Sequence, residues 1–327
     1  MGLYPFWKFR AWASARPFRV HLRKLAYWLL LRVKLASMLR EGPPRLNEFL
    51  KIEAALAGAI EKLQQVSDSP RLDAELLLAR ALDVQRSYLF AHPEDAMDPA
   101  AAERFAATLE SRAGGLPMAY ITGEKEFWSM TLIVSPDTLV PRPETELLVD
   151  QALQRISRRA ELQVLDLGTG SGAIALAIAK ERPACHVVAT DISTAALAVA
   201  AENARRQGAA NLEFLRGNWI EPVADLSFDL VVSNPPYVAS ADPHLDKLQH
   251  EPRSALAAGS DGLDAIREIA NSAAAVLKPG GSLLLEHGDK QADPVAAILD
   301  AAGWSEIENV KDLAGLPRVT TASMLRG

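Results

Sequence analysis

The sequence predicts an α/β fold in which a small N-terminal helical bundle is joined by a β-hairpin to a mostly parallel, seven-stranded sheet. Three patterns predict this order. Helical periodicity dominates residues 45–112, glycine and proline interrupt it at residues 114–117, and beyond residue 161 strand-like and helical runs alternate. Because strands that alternate with helices form parallel sheets covered on both faces, we expect the C-terminal part to be one layered domain. The chain of 327 residues also exceeds a single domain of roughly 150 residues.

Residues 1–44 are predicted to be a basic extension outside the folded domains. Residues 1–40 hold nine Lys or Arg and no Asp or Glu, and residues 22–36 place apolar side chains on one helical face. Two interpretations stay open. In the first, the extension is real and either binds an anionic membrane surface or carries a targeting signal. In the second, translation starts at Met38 and the residues before it are not made. The apolar run at residues 25–31 is too short to cross a bilayer, so we expect no transmembrane segment.

The remaining chain is divided into three parts by its periodicity. Residues 45–115 are predicted to form a helical domain, with helices at residues 46–65, 70–82 and 99–112. Residues 116–145 are predicted to be a β-hairpin linker, with β-like runs at residues 119–122, 127–134 and 138–140. The last domain covers residues 146–327. Its strands are predicted at residues 163–167, 186–190, 212–215, 228–233, 282–286, 305–310 and 318–323.

The charge distribution argues against binding of extended nucleic acid. Nine of the 35 Lys and Arg residues lie in residues 1–40, so the remaining 26 face all 41 acidic residues, a balance of −15. Binding to a phosphate backbone depends on basic side chains that displace counterions, and such an acidic body is a poor partner for it. The single cysteine, Cys185, excludes an intrachain disulfide and suits a cytoplasmic protein. The six histidines show no metal-ligand spacing, so we expect no metal site.

A glycine-rich turn follows the first predicted strand of the last domain. Residues 166–172 read Asp-Leu-Gly-Thr-Gly-Ser-Gly, and a helix is predicted directly after them. Glycine lets the backbone approach a ligand, and the N–H groups at a helix start attract an anion. A nicotinamide dinucleotide site needs its third glycine one position later, where the chain has Ala173. The spacing instead suits S-adenosylmethionine, which has a carboxylate and no pyrophosphate; a tight turn without a ligand is the alternative. The predicted cofactor-binding residues here are Gly168, Thr169, Gly170, Ser171 and Gly172.

Two residues farther along the chain complete the predicted cofactor site. Asp191 ends the second strand, where a carboxylate can accept hydrogen bonds from both ribose hydroxyls. The alternative is a cap for the following helix, although Ser193 also suits that role. Trp219 follows the third strand, where its indole would pack on adenine while Asn218 hydrogen-bonds to the same ring. A buried core tryptophan is the alternative for Trp219.

The tetrapeptide Asn234-Pro235-Pro236-Tyr237, after the buried strand at residues 228–233, carries the predicted chemistry. The nitrogen of an amide or an aromatic amine is a poor nucleophile because its lone pair is delocalised, so a site must orient it. The Asn234 side-chain oxygen and the Pro235 carbonyl can each accept one N–H of a substrate NH₂ group and turn the nitrogen toward a methyl donor. The prolines stiffen the loop, and Tyr237 offers an aromatic wall. The predicted catalytic residues are Asn234, Pro235 and Tyr237.

Three motifs upstream of the sheet add to this tetrapeptide. They are Ser-Pro-Arg-Leu-Asp-Ala-Glu at residues 69–75, Tyr-Ile-Thr-Gly-Glu with Phe-Trp at residues 120–128, and Pro-Arg-Pro-Glu-Thr-Glu at residues 141–146. Together the four motifs give the chain, from residue 46 onward, a resemblance to the protein-(glutamine-N5) methyltransferases that modify peptide chain release factors.

The resemblance implies a class I methyltransferase (Rossmann-like) fold with S-adenosyl-L-methionine as cofactor. The implied substrate is the glutamine in the Gly-Gly-Gln loop of class I release factors, methylated on its side-chain N5, and we expect residues 45–115 to recognise it. We also expect a monomer. The resemblance implies cofactor contacts from residues 168–172, Asp191, Trp219 and Asn234, and substrate contacts from Asn234, Pro235, Pro236 and Tyr237.

Two other functions stay open. Methyltransferases that act on N6 of adenine, or on guanine, in nucleic acid present a flat NH₂ group in the same way, often after base flipping. The acidic body and the lack of a basic target-recognition segment argue against them. A scaffold protein that keeps the cofactor fold without turnover is the other alternative, and the intact tetrapeptide argues against it.

Overall fold

The computed structural model describes residues 50–324, which form two compact units. The helical unit contains residues 50–58 and 75–105, and the sheet unit contains residues 59–74 and 106–324. This division cuts across the segment 45–115, so the domain boundaries stay a prediction. The basic extension and the alternative start at Met38 lie outside the described residues. Among the helices of residues 50–324, none is long and apolar enough to cross a membrane.

Four helices cover the N-terminal part of the described chain. They are α1 (Ile52–Leu63), α2 (Pro70–Leu82), α3 (Arg86–Ala91) and α4 (Pro99–Ala113). Three of them confirm the predicted helices, although α1 begins at Ile52 and its predicted start at residue 46 was too early, since Leu50 and Lys51 are not helical. α3 has only six residues and is too short to give a periodic signal. Within the helical unit, the Arg104 guanidinium donates a 2.8 Å hydrogen bond to the Ala81 carbonyl near the end of α2. This bond satisfies one of the oxygens that a helix end leaves without a partner.

Asp73, from the motif at residues 69–75, is a buried carboxylate in the sheet unit. It accepts hydrogen bonds from the Ser67 hydroxyl at 2.7 Å and from the Arg112 guanidinium at 2.8 Å. Buried charges are stable only when they are paired and hydrogen-bonded, as this one is. The motif therefore ties the first turn of α2 to the last turn of α4.

The first predicted β-like run of the linker, at residues 119–122, is wrong. These residues belong to a helix, α5 (Met118–Thr122), although Tyr120, Ile121 and Thr122 favour strands in isolation. The Thr122 hydroxyl donates to the Met118 carbonyl at 3.1 Å, and Gly123 closes the helix with φ +79° while its N–H donates to the Ala119 carbonyl. These local bonds occupy backbone groups that a strand would offer to a neighbour.

The hairpin itself is present and consists of β1 (Glu124–Phe127) and β2 (Met130–Ile133), which are antiparallel. A two-residue turn at Trp128 and Ser129, with φ of 50° and 56°, divides the predicted run at residues 127–134. Positive φ at both turn residues matches the twist of a tight hairpin.

The third predicted run, at residues 138–140, is also wrong, because no strand forms there. The Thr138 N–H donates to the Ser135 carbonyl within a turn, and the Val140 N–H donates to the Glu251 carboxylate at 3.1 Å. These donors are therefore not available for a strand ladder.

The sheet follows a 3-10 turn at Pro143–Thr145 and a helix, α6 (Glu146–Arg155). Its strands are β3 (Gln163–Leu167), β4 (His186–Asp191), β5 (Leu212–Arg216), β6 (Phe228–Ser233), β7 (Leu277–Glu286), β8 (Ser305–Lys311) and β9 (Pro317–Ser323). The intervening helices are α7 (Ala173–Glu181), α8 (Thr194–Gln207), α9 (Asp264–Ser272) and α10 (Ala292–Ala301).

The strand order is β5-β4-β3-β6-β7-β9-β8, and only β9 runs antiparallel to its neighbours β7 and β8. The predicted seven-stranded, mostly parallel sheet is confirmed. Strand β7 begins at Leu277, before its predicted start at residue 282. The prediction missed this part because Pro279, Gly280 and Gly281 are residue types that usually interrupt strands.

Both faces of the sheet are buried at β3, β4 and β6, as these nearly continuous apolar strands require. Along β3, Val164 packs into the apolar cluster that contains α7, and Leu165 packs into the cluster that contains α9 and α10. Helix α7 is buried from Ala173 to Ala179. Since the carboxyl ends of parallel strands meet at one edge of a sheet, the turns after β3, β4 and β6 lie together.

Candidate active site

A cavity of about 550 Å³ opens at the carboxyl ends of β3, β4 and β6. Small-molecule sites usually measure roughly 300–1,000 Å³, so the cavity is large enough for a cofactor. The predicted site residues that line it are Gly168, Thr169, Gly170, Ser171, Asp191, Trp219, Asn234 and Pro236. Gly172, Pro235 and Tyr237 are not lining residues. Within residues 50–324, no group of His, Cys, Asp and Glu side chains is arranged to hold a metal ion.

The turn between β3 and α7 requires glycine for two separate reasons. Gly168 and Gly172 both have positive φ, +72° and +83°, a conformation that other residues rarely adopt. A Cβ on Gly168 would lie 3.3 Å from the Trp219 ring, and a Cβ on Gly172 would lie 3.2 Å from the Cβ of Ala200. Gly172 therefore shapes the turn from behind, where α7 and α8 approach each other, rather than from inside the cavity.

Asp191 holds this turn in place from the end of β4. Its carboxylate accepts hydrogen bonds from the Gly170 N–H at 2.9 Å and from the Ser193 N–H at 2.8 Å. Ser193 caps α8, because its hydroxyl accepts the Ala196 N–H at 3.1 Å. The capping role is thus filled by Ser193. A carboxylate has about four acceptor positions, so Asp191 keeps acceptor capacity on the cavity side.

Trp219 both lines the cavity and packs against the apolar cluster on one face of the sheet. Its carbonyl accepts the Thr190 hydroxyl at 3.0 Å, and its backbone φ is +43°. Its neighbour Asn218 donates its side-chain N–H to the Glu268 carboxylate at 2.8 Å. The amide nitrogen of Asn218 is therefore already paired with an acidic residue that sequence reasoning did not single out.

Asn234 lies directly after β6, where Ser233 donates its hydroxyl to the Leu167 carbonyl at 2.7 Å and ties β6 to β3. The Asn234 side-chain nitrogen donates to the Thr145 hydroxyl oxygen at 3.1 Å. Its Oδ1 is buried and has no hydrogen-bond partner in the protein. A buried acceptor without a partner is costly, so this oxygen is available to a ligand N–H.

Tyr237 packs among apolar residues of the sheet rather than in the cavity. Burial raises the pKa of its hydroxyl, and the nearby Glu286 carboxylate adds to the rise. Its backbone carbonyl accepts the Gln291 side chain at 3.0 Å, and a Cβ on Gly262 would lie only 2.3 Å from that carbonyl oxygen. The loops that contain Gly262 and Gln291 therefore pack against the last residue of the tetrapeptide.

Two buried carboxylates near the cavity were missed by sequence reasoning. Asp166 and Glu286 end up fully buried, and each has one oxygen without a partner. Burial raises the pKa of each to about 7. The Asp166 carboxylate accepts the Thr169 hydroxyl at 2.7 Å, inside the glycine-rich turn. The usable signal was an acidic residue at or near the carboxyl end of a buried parallel strand.

The loop before α6 forms another wall that the sequence did not assign to the site. Pro136, Leu139 and Arg142 line the cavity. Glu251 is buried and pairs with the Arg142 guanidinium, while the Tyr120 hydroxyl donates to the Thr138 carbonyl at 2.5 Å. Residues of the motifs at 120–128 and 141–146 thus position this wall.

Comparison with known proteins gives consistent matches. A family model described as "Methyltransferase domain" matches residues 158–314, and one described as "PrmC N-terminal domain" matches residues 54–123. The release factor glutamine methyltransferase of Xylella fastidiosa is 51% identical over 269 residues, which are 82% of this chain and 96% of that protein. The release factor glutamine methyltransferase of Coxiella burnetii is 47% identical over 273 residues, 84% of this chain and 99% of that protein.

Among solved structures, a release factor-specific protein-(glutamine-N5) methyltransferase from Alicyclobacillus acidocaldarius is 31% identical. It covers 59% of this chain and 98% of its own, with a TM-score of 0.37. The two curated sequence relatives alone carry the family assignment, because each is matched over nearly its whole length. The chain therefore belongs to the family of release factor glutamine methyltransferases, and residues 158–314 are a methyltransferase domain of the class I fold.

Proposed function

We propose that this enzyme transfers a methyl group from S-adenosyl-L-methionine to the side-chain N5 of the glutamine in the Gly-Gly-Gln loop of class I peptide chain release factors. The observation that carries the proposal is the buried, unpartnered Oδ1 of Asn234 in the same cavity as the glycine-rich turn and Asp191. An acceptor in that position suits the N–H of a primary amide. The family of the chain supports glutamine as the bearer of that amide.

The residues around the cavity fit the proposed cofactor. Asp191 has acceptor capacity for ribose hydroxyls, and the N–H groups at the start of α7 suit a carboxylate. The Trp219 ring, which lies against Gly168, offers an apolar surface for adenine. When bound, S-adenosylmethionine supplies the electrophilic methyl group of a sulfonium ion.

The proposed role of the tetrapeptide is to orient the substrate nitrogen. Asn234 Oδ1 and the Pro235 carbonyl each accept one N–H, which directs the lone pair of the nitrogen away from both acceptors. As the nitrogen gains positive charge, these two oxygens stabilise it. Pro236 lines the cavity beside them, and the half-buried Tyr237 stiffens the loop by packing against the apolar cluster. As the bond between nitrogen and the methyl group forms, the bond from that methyl group to the sulfonium sulfur would break and leave a neutral thioether, and the nitrogen would release one proton to solvent.

The proposal also covers partners and place of action. The protein substrate is a class I release factor, which we propose the helical segment at residues 45–115 recognises. Because that substrate works in translation, we propose that the enzyme acts in the cytoplasm. We also propose that it is a monomer. The balance of 26 basic and 41 acidic residues outside residues 1–40 favours a protein substrate over a nucleic acid.

A labelling experiment tests the proposal. Purified full-length protein is incubated with methyl-labelled S-adenosylmethionine and one of three acceptors. These are a class I release factor, the same factor with Ala in place of the loop glutamine, and a mixture of DNA and RNA. We expect label only in the unmodified factor. Label in the Ala variant would show that a residue other than the loop glutamine is methylated. Label in nucleic acid would show base methylation and contradict the proposal.

A further inference from the structure

Asn234 and Glu286 leave the sheet side by side. Strands β6 and β7 are parallel, and their register pairs Ser233 with Leu285, so the next residue on each strand is Asn234 and Glu286. Glu286 is only 1% exposed and has no Lys or Arg within ion-pair distance in the described chain. A fully buried carboxylate without a paired cation is expensive to maintain, which points to a specific task.

The polar contacts of Asn234 point to the orientation of its amide. The Thr145 hydroxyl and the Asn234 amide both lie close enough to the Glu286 carboxylate to lower its pKa. Asn234 also donates to the Thr145 oxygen at 3.1 Å. An ionised carboxylate can only accept, so the Asn234 N–H that is not used on Thr145 is the group that suits Glu286. Oδ1 is the atom left over, and it is the atom that has no partner.

We propose that Glu286 is a positioning residue that, as a carboxylate, fixes the Asn234 amide with its oxygen toward the substrate nitrogen. Thr145 takes part by donating its hydroxyl to Glu286 and accepting from Asn234. This inference rests on the proposed function, because the amide that Glu286 orients is the one that receives the substrate NH₂ group. Glu286 is not a lining residue of the cavity, so it acts through Asn234 rather than on the substrate.

The ionised form of Glu286 is required. If the carboxyl is protonated, its O–H becomes a donor and favours the opposite orientation of the Asn234 amide, with Oδ1 toward Glu286. The Asn234 NH₂ group would then face the substrate NH₂ group, two donors against each other. Glu286 therefore couples the competence of the site to its own protonation state.

The surroundings of Glu286 place this change near neutral pH. Burial raises the pKa of Glu286 to about 7; Glu144 adds to the rise, while Thr145, Arg318 and Asn234 oppose it. The titratable Tyr237 also lies close enough to sense the Glu286 charge. Below this pKa the protonated form dominates and the fraction of enzyme with the productive amide orientation falls.

The pH dependence of turnover tests the inference on the full-length enzyme. The acceptor is a release factor, and kcat and KM are measured from about pH 5.5 to 9. For the wild type we expect kcat to rise with pH and level off above the pKa of Glu286. Glu286→Gln keeps an acceptor oxygen but cannot titrate, so this acid limb should disappear. Glu286→Leu removes the acceptor, and kcat should fall roughly 10- to 100-fold with little change in cofactor affinity.

Glu308→Gln is the matched control, since Glu308 is an exposed glutamate of the same sheet on β8. It should keep both the wild-type kcat and the acid limb. Glu286→Gln with an unchanged acid limb, or Glu286→Leu with a wild-type kcat, overturns the inference. Loss of folding in Glu286→Leu is detected by thermal melting, and the Glu286→Gln profile then decides.

Nuclear magnetic resonance of the Asn234 side chain separates this inference from the proposed function. In protein with ¹⁵N-labelled asparagine, the Asn234 NH₂ signals are assigned by their loss in Asn234→Asp. They should titrate near pH 7 in the wild type and not in Glu286→Gln. If the wild type methylates no release factor but shows this titration, the proposed function fails and the positioning role stands. Absence of titration in the wild type overturns the positioning role whatever the substrate.

Discussion

The Asp191 carboxylate accepts a 2.9 Å hydrogen bond from the Gly170 N–H, which joins the end of β4 to the turn after β3. The same side chain accepts the Ser193 N–H and so also fixes the entry into α8. One carboxylate thus sets the distance between the part of the cavity proposed for ribose and the part proposed for the methionine carboxylate. This dual role makes Asp191 sensitive to substitution.

Replacing Asp191 with Ala should weaken cofactor binding. The change removes the proposed ribose acceptor and releases the Gly170 N–H, so we expect affinity to fall roughly 10- to 100-fold, the cost of one or two hydrogen bonds to a charged group. Isothermal titration calorimetry with S-adenosylmethionine measures it. Asp98→Ala is the control, because it removes the carboxylate that caps α4 at a cost of about 1 kcal/mol in stability, lies outside the cavity and should leave affinity unchanged. Unchanged affinity in Asp191→Ala would refute the ribose role.

Replacing Asn234 with Ala should lower turnover much more than it lowers cofactor affinity. The variant loses the buried Oδ1 that is proposed to accept a substrate N–H, so kcat should fall by roughly 10² or more, the usual cost of one transition-state partner. Steady-state kinetics on a release factor and calorimetry with the cofactor give the two quantities. An Asn234→Ala enzyme with unimpaired kcat would contradict the proposed mechanism.

How much of the fold could be predicted depended on whether a signal was local or required distant partners. Strands β3, β4 and β6 were predictable because each is a buried apolar run, and the turn at residues 166–172 because its glycines mark a strand-to-helix connection. Helix α5 could not be predicted, because Tyr120, Ile121 and Thr122 favour strands and only local capping bonds reverse that preference.

The same distinction applies to the site. Asn234 and Asp191 were predicted to line it and do, because each lies at the carboxyl end of a parallel strand. Glu286 and Thr145 were not assigned, since their relation to Asn234 depends on strand order and on a contact across 89 residues of sequence. The ring of Tyr237 packs into the core, a placement that depends on how the following loops fold back over it.

The pKa of Asp166 should make stability depend on pH. Burial raises this pKa from 3.8 to about 7, so the folded state binds a proton that the unfolded state releases. The stabilisation that the folded state gains from this proton on Asp166 is complete below about pH 3.8 and is lost as pH rises toward and past 7. Asp166→Asn cannot ionise and should therefore gain stability relative to the wild type between pH 5 and pH 8.5, by roughly 1–4 kcal/mol.

Urea unfolding at these two pH values measures the change for Asp166→Asn. The quantity of interest is the difference between variant and wild type, because Glu286 and other groups titrate in both proteins. Asp300→Asn, on the exposed face of α10, is the control and should show no such pH-dependent difference. A difference for Asp166→Asn that shrinks as pH rises would reverse the assigned direction of the shift.

A pair of Gly→Ala substitutions should have opposite effects on stability. Gly172 has φ +83°, and an added Cβ would lie 3.2 Å from the Cβ of Ala200, so Gly172→Ala combines backbone strain with a close contact between α7 and α8. We expect a loss of about 1–3 kcal/mol in the free energy of unfolding.

Gly58 lies inside α1, and a Cβ there meets nothing within 4 Å. Gly58→Ala should therefore stabilise the protein by about 0.4–1 kcal/mol, because it reduces the entropy of the unfolded chain. Chemical denaturation of both variants measures the two changes, and a stabilising Gly172→Ala would show that the tight turn before α7 does not depend on glycine.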